Sequence, residues 1–218
     1  MIIAKFIIVI IVSYLLGSIP FGLLIAKRGA KVDVTQYGSG KIGATNVLRT
    51  AGRKAALIAV ACDLLKGVFA VIIAGIIVGN SYLVVGDFWL GALIAQVIGA
   101  LAAMAGHNWS IFLRFRGGRG VATFFGGLMA LCPAAALFGG EILIISAGLT
   151  RYVSLGSIVG TIGTYVILIP LTIINVFPIE FMIYAVIGTI IVFVMHRDNI
   201  VRLVSGTERK LGDKAIPH

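Results

Sequence analysis

Apolar residues run through this chain in long stretches separated by short polar ones. A bilayer core about 30 Å thick takes about 20 residues of helix. Phe6 to Ala26, Ala55 to Val78, Phe88 to Ala105, Leu155 to Ile174 and Ile179 to Met195 each come near that length. One more apolar stretch, Thr123 to Leu149, is interrupted by Pro133, Gly139, Gly140 and Glu141 and reads either as one long span or as two short ones. Lys5 ahead of the first apolar run resembles the start of a signal peptide, but no small-x-small cleavage site follows, so the run reads as a retained span. The pattern predicts an all-α, polytopic membrane protein, a single integral-membrane domain over residues 1–218. No fixed-period repeat and no soluble domain is visible, so any chemistry must sit on short loops.

Charge decides how the interrupted stretch is read. The chain has 218 residues, 60% hydrophobic and 12% charged, with 18 Lys+Arg against 8 Asp+Glu and a net charge of +10. The mean hydropathy is +1.10. Such a composition excludes a disordered chain and does not suit an ordinary soluble enzyme. A basic excess on so apolar a chain fits the clustering of Lys and Arg in cytoplasmic loops better than a nucleic-acid partner, and none is expected. Sixteen of the 18 cations fall in Lys27–Lys54, His107–Thr123, the Arg151 loop and the tail from His196. The loops Gly79–Asp87 and Asn175–Glu180 carry only acids. Every cationic segment falls on one side only if Thr123–Leu149 crosses twice. The expectation is therefore two short crossings broken near Pro133, about seven spans in all, N-terminus outside and C-terminus cytoplasmic. Each short crossing has only ~13 residues, or ~20 Å, and must lean on the bundle, tilt or thin the membrane. Cys62 and Cys132 lie in apolar runs and read as buried hydrophobes rather than as a disulfide or metal ligands.

Three cationic segments could hold chemistry. The first runs from Gly38 to Arg49. Gly38, Gly40 and Gly43 allow backbone N–H groups close to an anion, Ser39, Thr45 and Asn46 add short polar groups, and Arg49 can grip a phosphate bidentately. A flexible loop made basic for topology explains the segment equally well. The second runs from Gly106 to Thr123, with His107, Asn108, Gly117, Gly118, Arg119, Gly120 and Thr123. It puts a cation among glycines before a helix but lacks Walker spacing. The third starts at His196, with Asn199 and Arg202 at helical spacing and Glu208 beyond. A basic tail that binds anionic lipid is its plain alternative. Ser154 lies at the mouth of the next span and could equally cap a helix. Asp63 and Lys66, at i and i+3 inside a span, read as a self-neutralising structural pair.

No His-x-x-x-x-Asp, no acidic cluster suited to magnesium, no zinc-ligand spacing and no Gly-x-Ser-x-Gly elbow is present. The ordered segments Ser18–Gly22, Gly38-Ser39-Gly40 with Gly43-Ala44-Thr45-Asn46-x-x-Arg49, Asp63-x-x-Lys66-Gly67 and Gly106-His107 are one half of a longer pattern. Gly117-Gly118-x-Gly120-Val121-Ala122-Thr123, Ser154-Leu155-x-Ser157 and His196-x-x-Asn199-Ile200-x-Arg202-Leu203, with Gly206, Glu208 and Lys210, continue it. Together they resemble the bacterial integral-membrane acyl-phosphate:glycerol-3-phosphate acyltransferases over nearly the whole chain. Two positions depart from that family's usual pattern: Lys41 stands where Asn is usual, and Arg119 where Lys is. Arg keeps the charge but changes the geometry.

The resemblance implies transfer of an acyl group from acyl phosphate to the 1-hydroxyl of sn-glycerol 3-phosphate, giving lysophosphatidic acid and phosphate. It implies no metal, cofactor or acyl-CoA, and a seven-helix bundle in the bacterial inner membrane with its site at the cytoplasmic face. Membrane lipid is the expected surrounding, and a monomer the expected state. On this reading Ser39, Arg49, His196 and Asn199 are the catalytic candidates, and Asp63, Lys66 and Glu208 are structural. Gly38, Gly40, Thr45, Asn46, His107, Asn108, Gly117, Gly118, Arg119, Gly120, Thr123 and Ser154 are candidates for holding the phosphates. A transporter or channel for an organic phosphate is the rival class, since short interrupted helices and a basic mouth suit it too. A lipid-binding scaffold is a third.

Overall fold

A computed structural model describes residues 1–86, 88–213 and 215–216 of the chain. Asp87 and Lys214, counted above among the loop charges, lie outside the described residues. In chain order the helices are α1 (Ile2–Ser18), α2 (Phe21–Ala30), α3 (Ala44–Val78), α4 (Ala92–Asn108), α5 (Val121–Leu131) and α6 (Pro133–Thr150). They continue with α7 (Val153–Gly163), α8 (Tyr165–Ile173), α9 (Ile179–Met195) and α10 (Arg197–Val204). Five helical stretches are long and apolar enough to cross a membrane: Ile2–Ala30, Ala44–Val78, Ala92–Leu113, Pro133–Thr150 and Val153–Ile173. α9 and α10, bent by 62°, make a sixth if taken as one span, and α5 is a shorter apolar helix beside them. The protein is a multi-pass membrane protein, as its sequence pattern predicts.

The break near Pro133 is present. Cys132 leaves helical geometry and Pro133 starts α6, where its missing N–H costs no hydrogen bond. Other breaks were not visible in hydropathy. Pro20 separates α1 from α2, and Thr164 separates α7 from α8. Gly52 interrupts α3 with φ 86° and ψ 178°, a conformation that glycine adopts at little cost.

One expectation is corrected. The span read as beginning at Phe88 begins at Ala92, and the structure is not wholly helical. Leu83–Val85 (β1) pairs antiparallel with Phe88–Leu90 (β2), Val84 opposite Trp89, around Gly86 with φ 61°. β-branched and aromatic residues on both sides of a glycine favour a hairpin over a helix start. The Tyr82 and Trp89 rings stack across it with centroids 4.8 Å apart.

Packing follows the logic of a lipid solvent. Large aliphatics such as Ile7, Leu57, Ile76 and Leu149 face outward, while many of the inward positions are Ala, Gly, Ser and Thr. Without water to drive apolar side chains inward, helices associate through small residues that let their backbones approach. A methyl group on Gly67 would overlap the Thr123 carbonyl, and one on Gly126 the Leu64 carbonyl, so α3 and α5 touch backbone to backbone. The apolar core gathers Met104, Phe124, Leu128, Leu168 and Tyr184. Tyr184 donates to the Phe124 carbonyl at 2.8 Å.

Among the described residues the cationic loops meet at one end: Lys41, Arg49, Arg119 and Arg209 line one cavity, and Arg151 donates to the Leu211 carbonyl of the tail. Lys5, at the start of α1, donates to the Val78 carbonyl and Ser81 at the opposite end, beside the hairpin.

Candidate functional site

Three helices begin at one cavity of about 320 Å³. Gly43, Ala44 and Thr45 at the start of α3, Gly120, Val121 and Ala122 at the start of α5, and Val153 and Ser154 at the start of α7 all line it. None of the three N-termini has a side-chain cap or an acidic residue in its first turn. Their free N–H groups and partial positive charges therefore add at one place, which favours an anion.

Cations surround the same place. Lys41, Arg49, Arg119, Arg202 and Arg209 line the cavity, against Asp63 and Glu208. Burial first, and then Arg202 and Arg49, bring the Arg119 guanidinium down to about 10 against the pull of Glu208, so it remains a cation at neutral pH. Burial and the neighbouring Arg119 also hold the Lys41 ammonium below its ordinary value. His196, buried at the bend between α9 and α10, is pushed down to about 4 by burial and by Arg119. It is neutral at pH 7. Its Nδ1 lies 2.8 Å from the Val192 carbonyl. That acceptor assigns the proton to Nδ1 and leaves the Nε2 lone pair free.

The structure gathers Ser39, Thr45, Asn46, Arg49, His107, Arg119, Gly120, Ser154, His196 and Asn199 around this cavity. Several work on their neighbours. The Asn46 amide donates to the Val34, Tyr37 and Lys41 carbonyls and accepts from the Ser39 N–H, so it folds the Gly38–Gly43 loop. His107 Nδ1 lies 2.7 Å from the Lys66 ammonium, which pairs with Asp63 at 2.9 Å, all three buried. Gly118 packs on the far nitrogen of that ring, where a methyl group would overlap it. The triad thus seats the loop that carries Arg119. Asn108 is buried against Gly117 and Gly120, and Thr123 against Gly67. Gly38, Gly40, Asn108, Gly117, Gly118, Thr123 and Lys66 lie outside the cavity lining and shape or support it.

Two buried polar atoms in the wall lack a partner among the described residues: Arg49 Nε, a donor, and Asn199 Oδ1, an acceptor. Glu208 accepts from Ser154 at 3.0 Å, Asn199 at 2.6 Å and Arg202 at 2.7 Å. Burial alone would raise this carboxyl, but those three bonds hold it below the usual range. The tail then crosses the mouth. Arg49 donates to the Arg209 and Lys210 carbonyls at 3.2 and 3.1 Å, and the Gly38 N–H donates to the Ile216 carbonyl at 3.0 Å.

Away from the cations the wall turns apolar. Val60, Leu64, Phe125, Leu143 and Ile144 line that arm. Ile144 is 70% exposed on the lipid-facing surface, so the arm reaches the lipid. A cavity with an anion-binding end and an apolar end suits an amphiphile with a phosphate head.

Arg202, already placed in the third cationic segment, joins the cavity wall, as do Arg209 and an apolar lining that no motif marks. Arg202 had a signal, since it lies three residues after Asn199 on α10. The apolar residues had none, because one Leu in a span looks like another.

The sequence profile of glycerol-3-phosphate acyltransferases matches residues 7–206. The chain is 60% identical over 215 residues to glycerol-3-phosphate acyltransferase 3 of Dehalococcoides mccartyi strain 195, covering 99% of this chain and 100% of that one. It is similar to the crystal structure of PlsY (YgiH), an integral membrane glycerol 3-phosphate acyltransferase, in its glycerol 3-phosphate form, with a TM-score of 0.81 and 33% identity over 95% of this chain and 96% of that chain. The lysophosphatidic acid form of PlsY superposes with a TM-score of 0.79, again at 33% identity and covering 95% of each chain.

Proposed function

The chain belongs to the glycerol-3-phosphate acyltransferase family and is a membrane acyltransferase acting on glycerol 3-phosphate; on that premise we propose that its donor is an acyl phosphate and its products are lysophosphatidic acid and inorganic phosphate. The observation that carries this reading is the convergence of three uncapped helix N-termini and the Arg49 and Arg119 guanidiniums at one end of a cavity whose other end is apolar. Both substrates bring a phosphate to the cationic end, and the acyl chain lies along Leu64, Phe125 and Leu143 towards the lipid.

Arg49 and Arg119 hold the phosphates, with Ser39, Thr45 and Ser154 adding hydrogen bonds. Asn199 Oδ1, buried and unpartnered, accepts from a hydroxyl of glycerol 3-phosphate. His196 Nε2 orients the attacking 1-hydroxyl. That oxygen bonds to the acyl carbon, the acyl–oxygen bond to phosphorus's oxygen breaks, and phosphate leaves with its negative charge neutralised by the two guanidiniums. A histidine titrating near 4 is a weak base at pH 7, so the hydroxyl proton passes to the phosphate itself.

Counting α5 as a crossing gives seven spans. Lys and Arg gathered at the site end then put that end in the cytoplasm and the N-terminus outside the bacterial inner membrane. On this reading one copy of the chain suffices for the reaction.

Purified protein in a lipid mesophase, given acyl phosphate and glycerol 3-phosphate, should release phosphate and form lysophosphatidic acid in equal amounts. Accumulation of glycerol 3-phosphate inside proteoliposomes without phosphate release would overturn the reading in favour of a transporter.

A further inference from the structure

A second cavity, of about 750 Å³, lies behind the wall of the first. Gly40 and Ile42 line it, whereas Ser39, Lys41 and Gly43 line the catalytic cavity. Alternate residues of one loop thus face opposite cavities. Gly117 lines the second cavity, whereas Arg119 and Gly120 line the first, so this loop also stands between them. The outer walls of the second cavity carry Lys27, Asp33, Arg114 and Arg116.

Its charge is cationic. Lys27 pairs with Asp33 at 2.8 Å, and Asp33 also accepts from the Thr35 hydroxyl and N–H. That acid is therefore satisfied. Arg114 and Arg116 have no acidic partner among the described residues. Two exposed guanidiniums thus border a polar cavity with no acid paired to either among the described residues.

The loop that carries them is held in an unusual shape. Arg114 and Phe115 adopt consecutive left-handed conformations, with φ 52° and 60°. Residues with a Cβ rarely adopt such angles, and they persist only where the surroundings impose them. Here the Phe115 N–H donates to the Ser110 carbonyl at 2.8 Å, the Arg116 N–H to Leu113 at 3.0 Å, and the Gly118 N–H to His107 at 3.0 Å. Ser110 Oγ is anchored on the Ser18 carbonyl, and Tyr14 on the Trp109 carbonyl. The turn leaves Phe112 and Phe115 about 60% exposed, on either side of Arg114. Exposed aromatic rings beside cations, at the end of a membrane span, belong at the headgroup level of a bilayer.

From this placement we propose that the second cavity docks the phosphate headgroup of an anionic phospholipid. Arg114 and Arg116 hold the phosphate diester, and Phe112 and Phe115 lie against its acyl chains. The unpaired charge of the two guanidiniums favours a net-negative headgroup over a zwitterionic one, whose cation they repel. The bound lipid braces the wall made by Gly40 and Gly117 from behind.

Full-length protein in non-ionic detergent is titrated with short-chain phosphatidylglycerol, with phosphatidylcholine of the same chain length, and with inorganic phosphate. Native mass spectrometry reads the adducts, and the thermal midpoint reads stabilisation. Phosphatidylglycerol should give a saturable adduct and raise the midpoint, and phosphatidylcholine should do neither. Arg114→Gln with Arg116→Gln should weaken the adduct roughly 30-fold while leaving turnover in neutral lipid unchanged. Should that pair fail to fold, Arg116→Gln alone, clear of the strained positions, should weaken it roughly fivefold. Equal phosphatidylglycerol binding by the wild type and the folded variant would overturn the proposal. So would a midpoint shift that inorganic phosphate reproduces in the wild type and loses in the variant, because the cavity would then take free phosphate rather than lipid.

Discussion

The Asn199 side-chain amide donates to the Glu208 carboxylate at 2.6 Å, and the same carboxylate joins Ser154 of α7 and Arg202 of α10. One acid thus fixes the orientation of the substrate-facing Asn199 and sets where the tail crosses the site.

Glu208→Ala should lower stability by about 2 kcal/mol, less than the 3–5 kcal/mol typical of a fully buried pair, because Arg202 is one-third exposed. The thermal midpoint in detergent measures this. Glu208→Gln keeps a hydrogen-bond acceptor and should lose less. The contribution of the carboxylate should disappear as pH falls from about 4.5 through its depressed folded value.

His196 adds a separate acid window. Its folded value of about 4 lies below the ordinary 6.5, so between those pH values the unfolded chain binds more protons than the folded one. Stability should fall as pH drops from 6.5 to 4, by up to roughly 3 kcal/mol. His196→Gln should flatten that part of the midpoint-versus-pH curve. Its turnover should be lower than wild type by a similar factor at every pH from 6.5 to 8, because the histidine is neutral throughout. A wild-type activity step near pH 6.5 that the variant abolishes would make His196 the base.

Arg49→Ala should reduce turnover by at least roughly 100-fold, as expected for loss of a donor aimed at developing charge. Arg49→Lys restores the charge without the two-pronged geometry and should recover only part of it. Because Arg49 reaches only carbonyls of the tail, both variants should keep a near wild-type thermal midpoint.

Asp63→Ala leaves the Lys66 ammonium buried beside His107 and should cost about 3–5 kcal/mol. Replacing both, as Asp63→Ala with Lys66→Met, should recover much of that loss, and a double-mutant cycle on thermal midpoints reads the coupling. A double variant no better than the single one would mean that the charges do more than hold each other.

The large features of the fold were legible because hydropathy and charge are carried by many residues at once. The break at Pro133 and the gathering of cationic loops at one end could be read that way. The hairpin at Leu83–Leu90 was not, since a short apolar run suits a strand as well as a helix. The site was legible as three loops. The division of labour within them was not: Asn46 folds its own loop, and His107 and Gly118 seat Arg119 from behind. The tail's grip on Arg49 and Gly38 runs through backbone carbonyls, which leave no trace in residue type.

The most direct measurement is the donor requirement of the purified protein in bilayers. With glycerol 3-phosphate and a labelled acyl phosphate, one lysophosphatidic acid should form for each phosphate released, and acyl-CoA of the same chain should give none. Product from acyl-CoA, without phosphate release from acyl phosphate, would contradict the placement of two phosphates between Arg49 and Arg119.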